Sequence, residues 1–235
     1  GQAFDADPGP GVNMLTPTGF QGSGYIIKLD ASANYLDAVS INAVNRSDVR
    51  ELVIDDLNNL YLIGAYAGNL DADPGAGVVT HTDGGTGGTY TIKLDENFNH
   101  LWSHVINSGG GDYAEDIVLN GSTYFYSGES TQVTDLDPGP GTYNNANSMY
   151  VLKFDTAGNF IGAAEFAGPG EPAQLHVGYQ DNLILSGVFM GTTFDADPSA
   201  GSFIIPSTSW WNKPYLISLD TSFNFNWAVS FETTR

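Results

Sequence analysis

Apolar residues recur at every second position along many short segments of the chain, a pattern typical of β-strands. In segment 25–30, Tyr25, Ile27 and Leu29 would lie on one face of a sheet and the residues between them on the other. We interpret such a segment as a strand that neighbouring structure covers on one face. Similar segments recur at 90–95, 150–155 and 215–220. No stretch shows a sustained period of 3.6 residues with helix caps, so we expect little helix.

A second motif, Asp-x-Asp-Pro, marks the chain as a repeat protein. It occurs four times, in repeats that start near residues 4, 70, 134 and 194, and its first aspartates are 66, 64 and 60 residues apart. Each repeat also contains a Tyr-led strand that ends in Asp, with an Asn four residues later. Asp and Asn side chains bond nearby backbone groups, so we expect a hairpin turn there, followed by another strand. This near-constant spacing is the signature of a repeat architecture.

Each repeat contains about four short strands in roughly 60 residues, which suits one blade of a β-propeller. The clearest unit has expected strands at 51–55, 60–66, 90–95 and 101–106. We predict an all-β fold, a β-propeller of repeated four-stranded antiparallel blades, in one domain spanning residues 1–235. With this register the chain holds three complete blades and the last two strands of a preceding one. We therefore expect either four blades that close imperfectly or a fragment of a larger propeller or surface protein.

The composition limits the classes of partner. Hydrophobic residues make up 41% of the chain, which is enough for a core. Seven Lys and Arg stand against 27 Asp and Glu, a formal net charge of −20 that argues against binding nucleic acid or anionic lipid. No apolar run approaches the roughly 18 residues of a membrane helix, so we expect no membrane insertion. The chain has no Cys, which excludes disulfides and thiolate chemistry.

The residues of the second repeat resemble a known family. The succession of segments 90–95, 101–104, 109–117 and 124–128 is similar to the bacterial β-propeller repeat called SBBP. The Asp-x-Asp-Pro-Gly-Pro-Gly insertion resembles a variant common in secreted and surface proteins of the Bacteroidota. The resemblance implies an extracellular or cell-surface protein that is not an enzyme and has a scaffold or adhesion role. Its implied partners are proteins or glycans at the cell surface, neighbouring blades, or copies in a larger assembly.

The Asp-x-Asp loops are candidate metal sites. Two Asp at positions i and i+2 of an extended chain project to the same side, and the Pro-Gly turn after them can direct carbonyl oxygens to the same point. Ca²⁺ takes about six to eight oxygen ligands of these kinds. The candidate ligands are Asp5, Asp7, Asp71, Asp73, Asp135, Asp137, Asp195 and Asp197. The alternative is a metal-free loop in which backbone N–H groups bond the Asp side chains.

Other polar residues fit structural roles better. His100 and His104 are spaced like a metal-binding pair, but the other repeats carry aromatic residues at the first position and Val or Ala at the second. We interpret both histidines as substitutions in core positions. Lys28, Lys93 and Lys153 recur at one register and are interpreted as solvated ion pairs with nearby Asp. Four near-identical carboxylate pairs lack the asymmetry of a catalytic site, so we expect no enzyme.

The stretch between each Asp-x-Asp loop and the next Tyr-led strand varies from 8 to 13 residues. The most distinctive stretch contains Trp210, Trp211 and Asn212. Adjacent Trp rings could stack on a sugar face while an amide bonds its hydroxyls. The alternative is that a Trp packs under its own loop. A glycan-binding lectin is therefore the second functional hypothesis, beside the scaffold or adhesion module.

Overall fold

The computed structural model is all-β and describes residues 2–83, 87–107, 113–146, 149–168, 170–191, 193–206 and 212–231. Apart from strands, the regular structure of these residues is one 3₁₀ turn at Tyr179–Asp181. The chain divides into two compact units, Gly1–Gly109 and Gly110–Arg235, which we call unit 1 and unit 2. A helix long and apolar enough to cross a membrane is absent from the described residues.

Unit 1 contains eleven strands in its described part. They are β1 (Phe4–Asp5), β2 (Met14–Leu15), β3 (Gly24–Leu29), β4 (Tyr35–Ala43), β5 (Arg46–Ser47), β6 (Glu51–Ile54), β7 (Leu60–Ala67), β8 (Leu70–Asp71), β9 (Thr80–His81), β10 (Gly88–Leu94) and β11 (His100–Asn107). One sheet has the order β11-β10-β7-β5, and β6 also pairs with β7. A second sheet has the order β3-β4-β8-β9, while β1 and β2 form a separate hairpin.

Unit 2 contains twelve strands in its described part. They are β12 (Tyr113–Asn120), β13 (Thr123–Glu129), β14 (Val133–Asp135), β15 (Asn144–Ala146), β16 (Met149–Asp155), β17 (Phe160–Phe166), β18 (Gly170–Val177), β19 (Leu183–Phe189), β20 (Thr193–Asp195), β21 (Ile204–Pro206), β22 (Lys213–Leu219) and β23 (Phe225–Ser230). Two four-stranded sheets have the orders β12-β13-β16-β17 and β18-β19-β22-β23. β14–β15 and β20–β21 are separate hairpins.

The strands of the second repeat lie where the sequence predicts them. Segments 51–55, 60–66, 90–95 and 101–106 correspond to β6, β7, β10 and β11, with bounds that differ by at most two residues. The antiparallel sheets of about four strands confirm this part of the predicted fold. Arrangement of the sheets as a propeller remains a prediction.

Strand β10 is more buried than its sequence pattern predicts. All seven of its residues are buried, including Thr89, Thr91 and Lys93 on the more polar face. The interpretation of a strand covered on one face is therefore wrong for β10. The alternation in its sequence distinguishes two buried faces, one apolar and one partly polar.

Strand β3 pairs with β4 on one side, and no strand of the described residues pairs with its other edge. Its equivalents β10, β16 and β22 are paired on both sides. As a consequence Tyr25 is 50% exposed, whereas the equivalent Tyr90 is 1% exposed. Within the described residues, the Tyr-led strand of the first repeat therefore has one unpaired edge, as expected, and its place in a blade stays a prediction.

In unit 2 the two four-stranded sheets pack against each other. The backbone N–H of Leu175 in β18 donates to Oδ2 of Asp116 in β12 at 2.6 Å. Phe166 and Phe194 stack with ring centroids 6.4 Å apart in the same buried cluster. Successive repeats thus share one core within this unit.

The Tyr-led strands end in Asp–Asn turns, in which one carboxylate organises five residues. In the second repeat, Oδ1 of Asp95 accepts the backbone N–H groups of Asn97 at 2.8 Å and Asn99 at 2.9 Å. Oδ2 of Asp95 accepts the side-chain amide of Asn99 at 2.8 Å. Asp30, Asp155 and Asp220 make the same three bonds at the ends of their Tyr-led strands. Asp55 makes them in the turn between β6 and β7. The predicted hairpin turn is confirmed.

The left-handed residue of these turns is the one before Asn. Phe98 has φ of 63° and Ala33 has φ of 62°, although neither is glycine. The third repeat places Gly158 there, with φ of 90°. A left-handed conformation costs a residue with Cβ about 1–2 kcal/mol. The three carboxylate hydrogen bonds oppose this cost in every repeat.

The lysines of the Tyr-led strands connect successive repeats. Lys28 Nζ donates to the backbone carbonyl of Glu96 at 2.7 Å, and Lys153 Nζ donates to that of Thr221 at 2.7 Å, in both cases 68 residues along the chain. Lys93 is 9% exposed, and its Nζ lies 3.7 Å from Asp55 Oδ2. Lys93 therefore forms an ion pair with an Asp, but this pair is largely buried, and Lys28 and Lys153 bond backbone carbonyls. The interpretation of all three as solvated ion pairs is wrong in these respects.

The Asp–Asn turns make stability depend on pH. The side-chain hydrogen bond from Asn99 is the largest cause that holds the pKa of Asp95 below its ordinary value of 3.8. A carboxylate whose pKa is lower in the folded state stabilises the fold above its unfolded pKa, and this contribution is lost as pH falls through the folded pKa. We expect the free energy of unfolding to fall as pH is lowered below about 4.

The variant Asn99→Ala tests this account. It removes the side-chain donor, so the pKa of Asp95 should rise toward 3.8 and the stability should depend less steeply on pH in the acid range. Asn97→Ala is the matched control, because Asn97 contributes its backbone N–H, which alanine keeps. The measurements are an NMR titration of the Asp95 carboxyl and urea unfolding across acid pH. An equal change in both variants would contradict the role of the Asn99 side chain.

The Asp-x-Asp loops as a candidate functional site

Each Asp-x-Asp loop begins at the end of the first strand of a two-stranded hairpin, after β1, β8, β14 or β20. The residue between the two Asp points inward: Ala72 is fully buried, and its N–H donates to the carbonyl of Val79 at 2.9 Å. Its equivalents Ala6, Leu136 and Ala196 are buried and make the same bond. Each loop is thus fixed by a buried anchor that leaves the Asp side chains nearer the surface.

The first Asp of each loop accepts two backbone N–H groups. Oδ1 of Asp71 accepts from Asp73 at 3.2 Å and from Val79 at 3.0 Å. The same two bonds, to residues two and eight positions further on, are made by Asp5, Asp135 and Asp195. One carboxylate oxygen therefore closes each loop in the same way.

The second Asp fixes the turn that follows. Oδ1 of Asp73 accepts the N–H of Gly75 at 2.8 Å, and the other loops have the equivalent bond. Oδ2 of Asp73 lies so near Gly77 that a Cβ at Gly77 would overlap it. The same overlap would occur at Gly11, Gly141 and Gly201. The close approach of a carboxylate oxygen therefore favours glycine at the last position of the motif.

The hydrogen bonds of the metal-free alternative are present in all four loops. Oδ1 of the first Asp uses both of its lone pairs for backbone N–H groups and Oδ1 of the second Asp uses one, so these atoms serve mainly the fold. The described residues contain no group of three or more His, Cys, Asp or Glu side chains suited to a metal ion. A Ca²⁺ site here would rest on the Oδ2 atoms of two Asp, with carbonyl and water oxygens completing its shell. Calcium binding by these loops stays a prediction.

The fourth loop differs from the others in its polar contacts. Oδ2 of Asp195 accepts the hydroxyl of Ser202 at 2.9 Å. Burial raises the pKa of Asp195, but hydrogen bonds from Phe203, Asp197 and Ser202 outweigh burial and hold the pKa below its ordinary value. This carboxyl is therefore ionised at neutral pH, with one oxygen fewer available to a cation.

The candidate sugar-binding residues come shortly before β22 in the sequence. Trp210 and Trp211 are outside the described residues. Asn212 is described and exposed, immediately before β22. Glycan binding at these residues remains a prediction.

The structure brings together three residues that the sequence did not connect. Nε2 of His81 lies 2.7 Å from Oγ of Ser103, and Nε2 of His100 lies 2.9 Å from the same oxygen. The interpretation of His100 as a core residue is wrong, because its ring takes part in this partly exposed polar cluster. His104 instead packs on Trp102, with ring centroids 4.9 Å apart.

Comparison with protein-family models and with curated proteins gives no match for this chain.

The contact between Asp73 and Gly77 predicts a coupled effect of two substitutions. Gly77→Ala should lower the free energy of unfolding by about 1–3 kcal/mol, because the added methyl overlaps Oδ2 of Asp73. In an Asp73→Ala background the same change should cost less, because that oxygen is absent. Gly162→Ala is the control, since a Cβ there meets nothing within 4 Å.

Urea unfolding of the four members of this double-mutant cycle provides the measurement. The account requires a coupling free energy of at least about 0.5 kcal/mol between the two sites. Additive effects would show that Gly77 is needed for another reason.

Proposed function

We propose that this chain is a non-enzymatic extracellular β-propeller module with a scaffold or adhesion role on the cell surface, stabilised by calcium. The observation that supports the proposal is that the repeated polar residues form hydrogen bonds that hold the fold. Each repeat places its Asp-x-Asp carboxylates and its Asp–Asn turn in hydrogen bonds to its own backbone. These residues build a frame, whereas a catalytic site would need polar groups left free to act.

Contacts between repeats support the propeller part of the proposal. In each unit, a lysine of one repeat bonds the turn of the next at the same spacing of 68 residues. A connection repeated at one register favours a regular succession of blades. One edge of β3 is unpaired in the described residues. In a propeller, strands from another part of the ring would pair with this edge and complete the blade.

The variable stretches supply a surface for partners. They follow the Asp-x-Asp loops, which have the same hydrogen bonds in all four repeats, so a constant frame holds segments of different length. Repeat proteins carry recognition in this way, with insertions on one face. The proposed partners are proteins at the cell surface, and glycans are the partners of the lectin alternative.

Spin-label distances test the propeller part. The chain has no Cys, so labels can be placed at Ala31→Cys, Glu96→Cys and Thr221→Cys, in the Asp–Asn turns of the first, second and fourth repeats. If the repeats curve around an axis, the 31–221 distance is well below three times the 31–96 distance. Double electron–electron resonance on the two labelled pairs gives both values. A ratio near three would show a straight array and contradict the propeller.

The calcium part rests on the Oδ2 atoms of the Asp-x-Asp loops. If each loop binds Ca²⁺, each site should add about 2.7 kcal/mol at a hundredfold excess over Kd. Melting temperature should then rise between chelator and millimolar Ca²⁺. The double variant Asp71→Asn, Asp73→Asn keeps an oxygen acceptor for each backbone bond but lacks the charge, so it should lose part of the calcium-dependent increase.

Asp56→Asn, an exposed acid outside the loops, is the matched control and should keep the whole increase. Identical melting curves in chelator and calcium, with the Asn variant as stable as the parent, would leave the loops as metal-free turns.

A glycan array tests the adhesion role against the lectin alternative. A scaffold that binds proteins should bind no glycan on the array. Specific glycan binding that is lost in Trp210→Ala or Trp211→Ala would contradict the scaffold proposal and favour a lectin. Asn34→Ala, in the Asp–Asn turn of the first repeat, is the control for general loss of stability.

A further inference from the structure

The second repeat contains a polar cluster in which two imidazole rings meet at one hydroxyl. His81 belongs to β9, while His100 and Ser103 belong to β11. Both Nε2 atoms lie within hydrogen-bond distance of Ser103 Oγ, at 2.7 and 2.9 Å, so they are no more than about 5.6 Å apart. All three residues are partly exposed, which leaves the cluster accessible to a small ion.

The other repeats show that packing does not require polar residues here. In the other repeats, the equivalent of His81 is Leu15, Asn145 or Ile205. The equivalent of His100 is Tyr35, Phe160 or Phe225. The equivalent of Ser103 is Ala38, Ala163 or Ala228. In the third and fourth repeats, aromatic pairs cover the same junction, Tyr143 with Phe160 at 5.6 Å and Phe203 with Phe225 at 5.0 Å. Three departures from the repeat thus coincide at one point of the second repeat.

The chemistry of the cluster suits a borderline divalent metal ion. Imidazole nitrogen is a preferred ligand of Zn²⁺, Cu²⁺ and Ni²⁺, with Zn–N distances of about 2.0–2.1 Å. Burial lowers the pKa of His81 and of His100, so both rings are neutral and keep a lone pair at neutral pH. The negative charges of Asp73 and Asp71 oppose the effect of burial, because they raise the pKa of His100. These charges would also attract a cation to the cluster.

We propose that Nε2 of His81 and Nε2 of His100 bind a divalent transition-metal ion of the Zn²⁺ type. Two nitrogens that each lie about 2.1 Å from one ion are at most about 4.2 Å apart, so binding needs the rings to turn toward each other if the present separation is larger. The described residues hold no third His, Cys, Asp or Glu suited to the same ion, so water completes its shell. The Asp-x-Asp loops are chemically different, because they offer oxygen alone.

The bound ion would join two sheets of unit 1. β9 lies in the sheet β3-β4-β8-β9, and β11 lies in the sheet β11-β10-β7-β5. An ion that binds the folded state alone raises its stability by mass action. The site would therefore fix the hairpin of the second Asp-x-Asp loop against the neighbouring blade.

Zinc titration of the whole chain tests the proposal, in millimolar Ca²⁺ to occupy any carboxylate site. Calorimetry should give one Zn²⁺ per chain, and melting temperature should rise by about 5 °C at a hundredfold excess over Kd. His100→Phe and His81→Ile should each abolish zinc binding and the rise in melting temperature. These substitutions are chosen because other repeats carry Phe and Ile at the equivalent positions. His104→Val is the control, because two other repeats carry Val at the equivalent position, and it should leave zinc binding unchanged.

Two further readouts separate a metal site from a hydrogen-bond network. Ser103→Ala should retain zinc binding, since the two nitrogens remain. Electron paramagnetic resonance of the chain loaded with Cu²⁺ should show coupling to two nitrogens, reduced to one in His100→Phe. No zinc binding, binding that persists in His100→Phe, or binding lost in Ser103→Ala would each overturn the proposal.

Discussion

A carboxylate that accepts N–H groups from its own loop is the interaction on which every repeat of this protein depends. Each Asp-x-Asp loop uses two such carboxylates, and each Asp–Asn turn uses one. Hydrogen bonds to a charged acceptor are stronger than neutral ones, by roughly twofold. They fix chain reversals in which several backbone donors would otherwise lack a partner.

This interaction also explains much of the acidic composition. Thirteen of the 27 acidic residues accept backbone N–H groups in the loops and turns, eight in Asp-x-Asp loops and five in Asp–Asn turns. Their charge is a consequence of how the repeat folds. A net charge of −20 is therefore weak evidence for any particular ligand, although it favours cations near the surface.

The sequence predicts the repeated strands and turns because these depend on local periodicity and on side chains a few residues apart. It does not predict the bonds of Lys28, because the partner carbonyl belongs to a turn 68 residues away. The interpretation of His100 as a core residue is wrong for a related reason, because comparison of one repeat position at a time indicates a core substitution. Considering positions 81, 100 and 103 together would have shown three polar changes in one repeat, a signal that their side chains meet.

Amide hydrogen exchange in chelator tests most directly whether the carboxylates hold the loops. The amides bonded to the first Asp of each loop belong to Asn13, Val79, Tyr143 and Phe203. The account predicts that all four exchange slowly, and that Val79 alone loses protection in Asp71→Ala. Exchange of these amides at the rates of an unstructured peptide would contradict it.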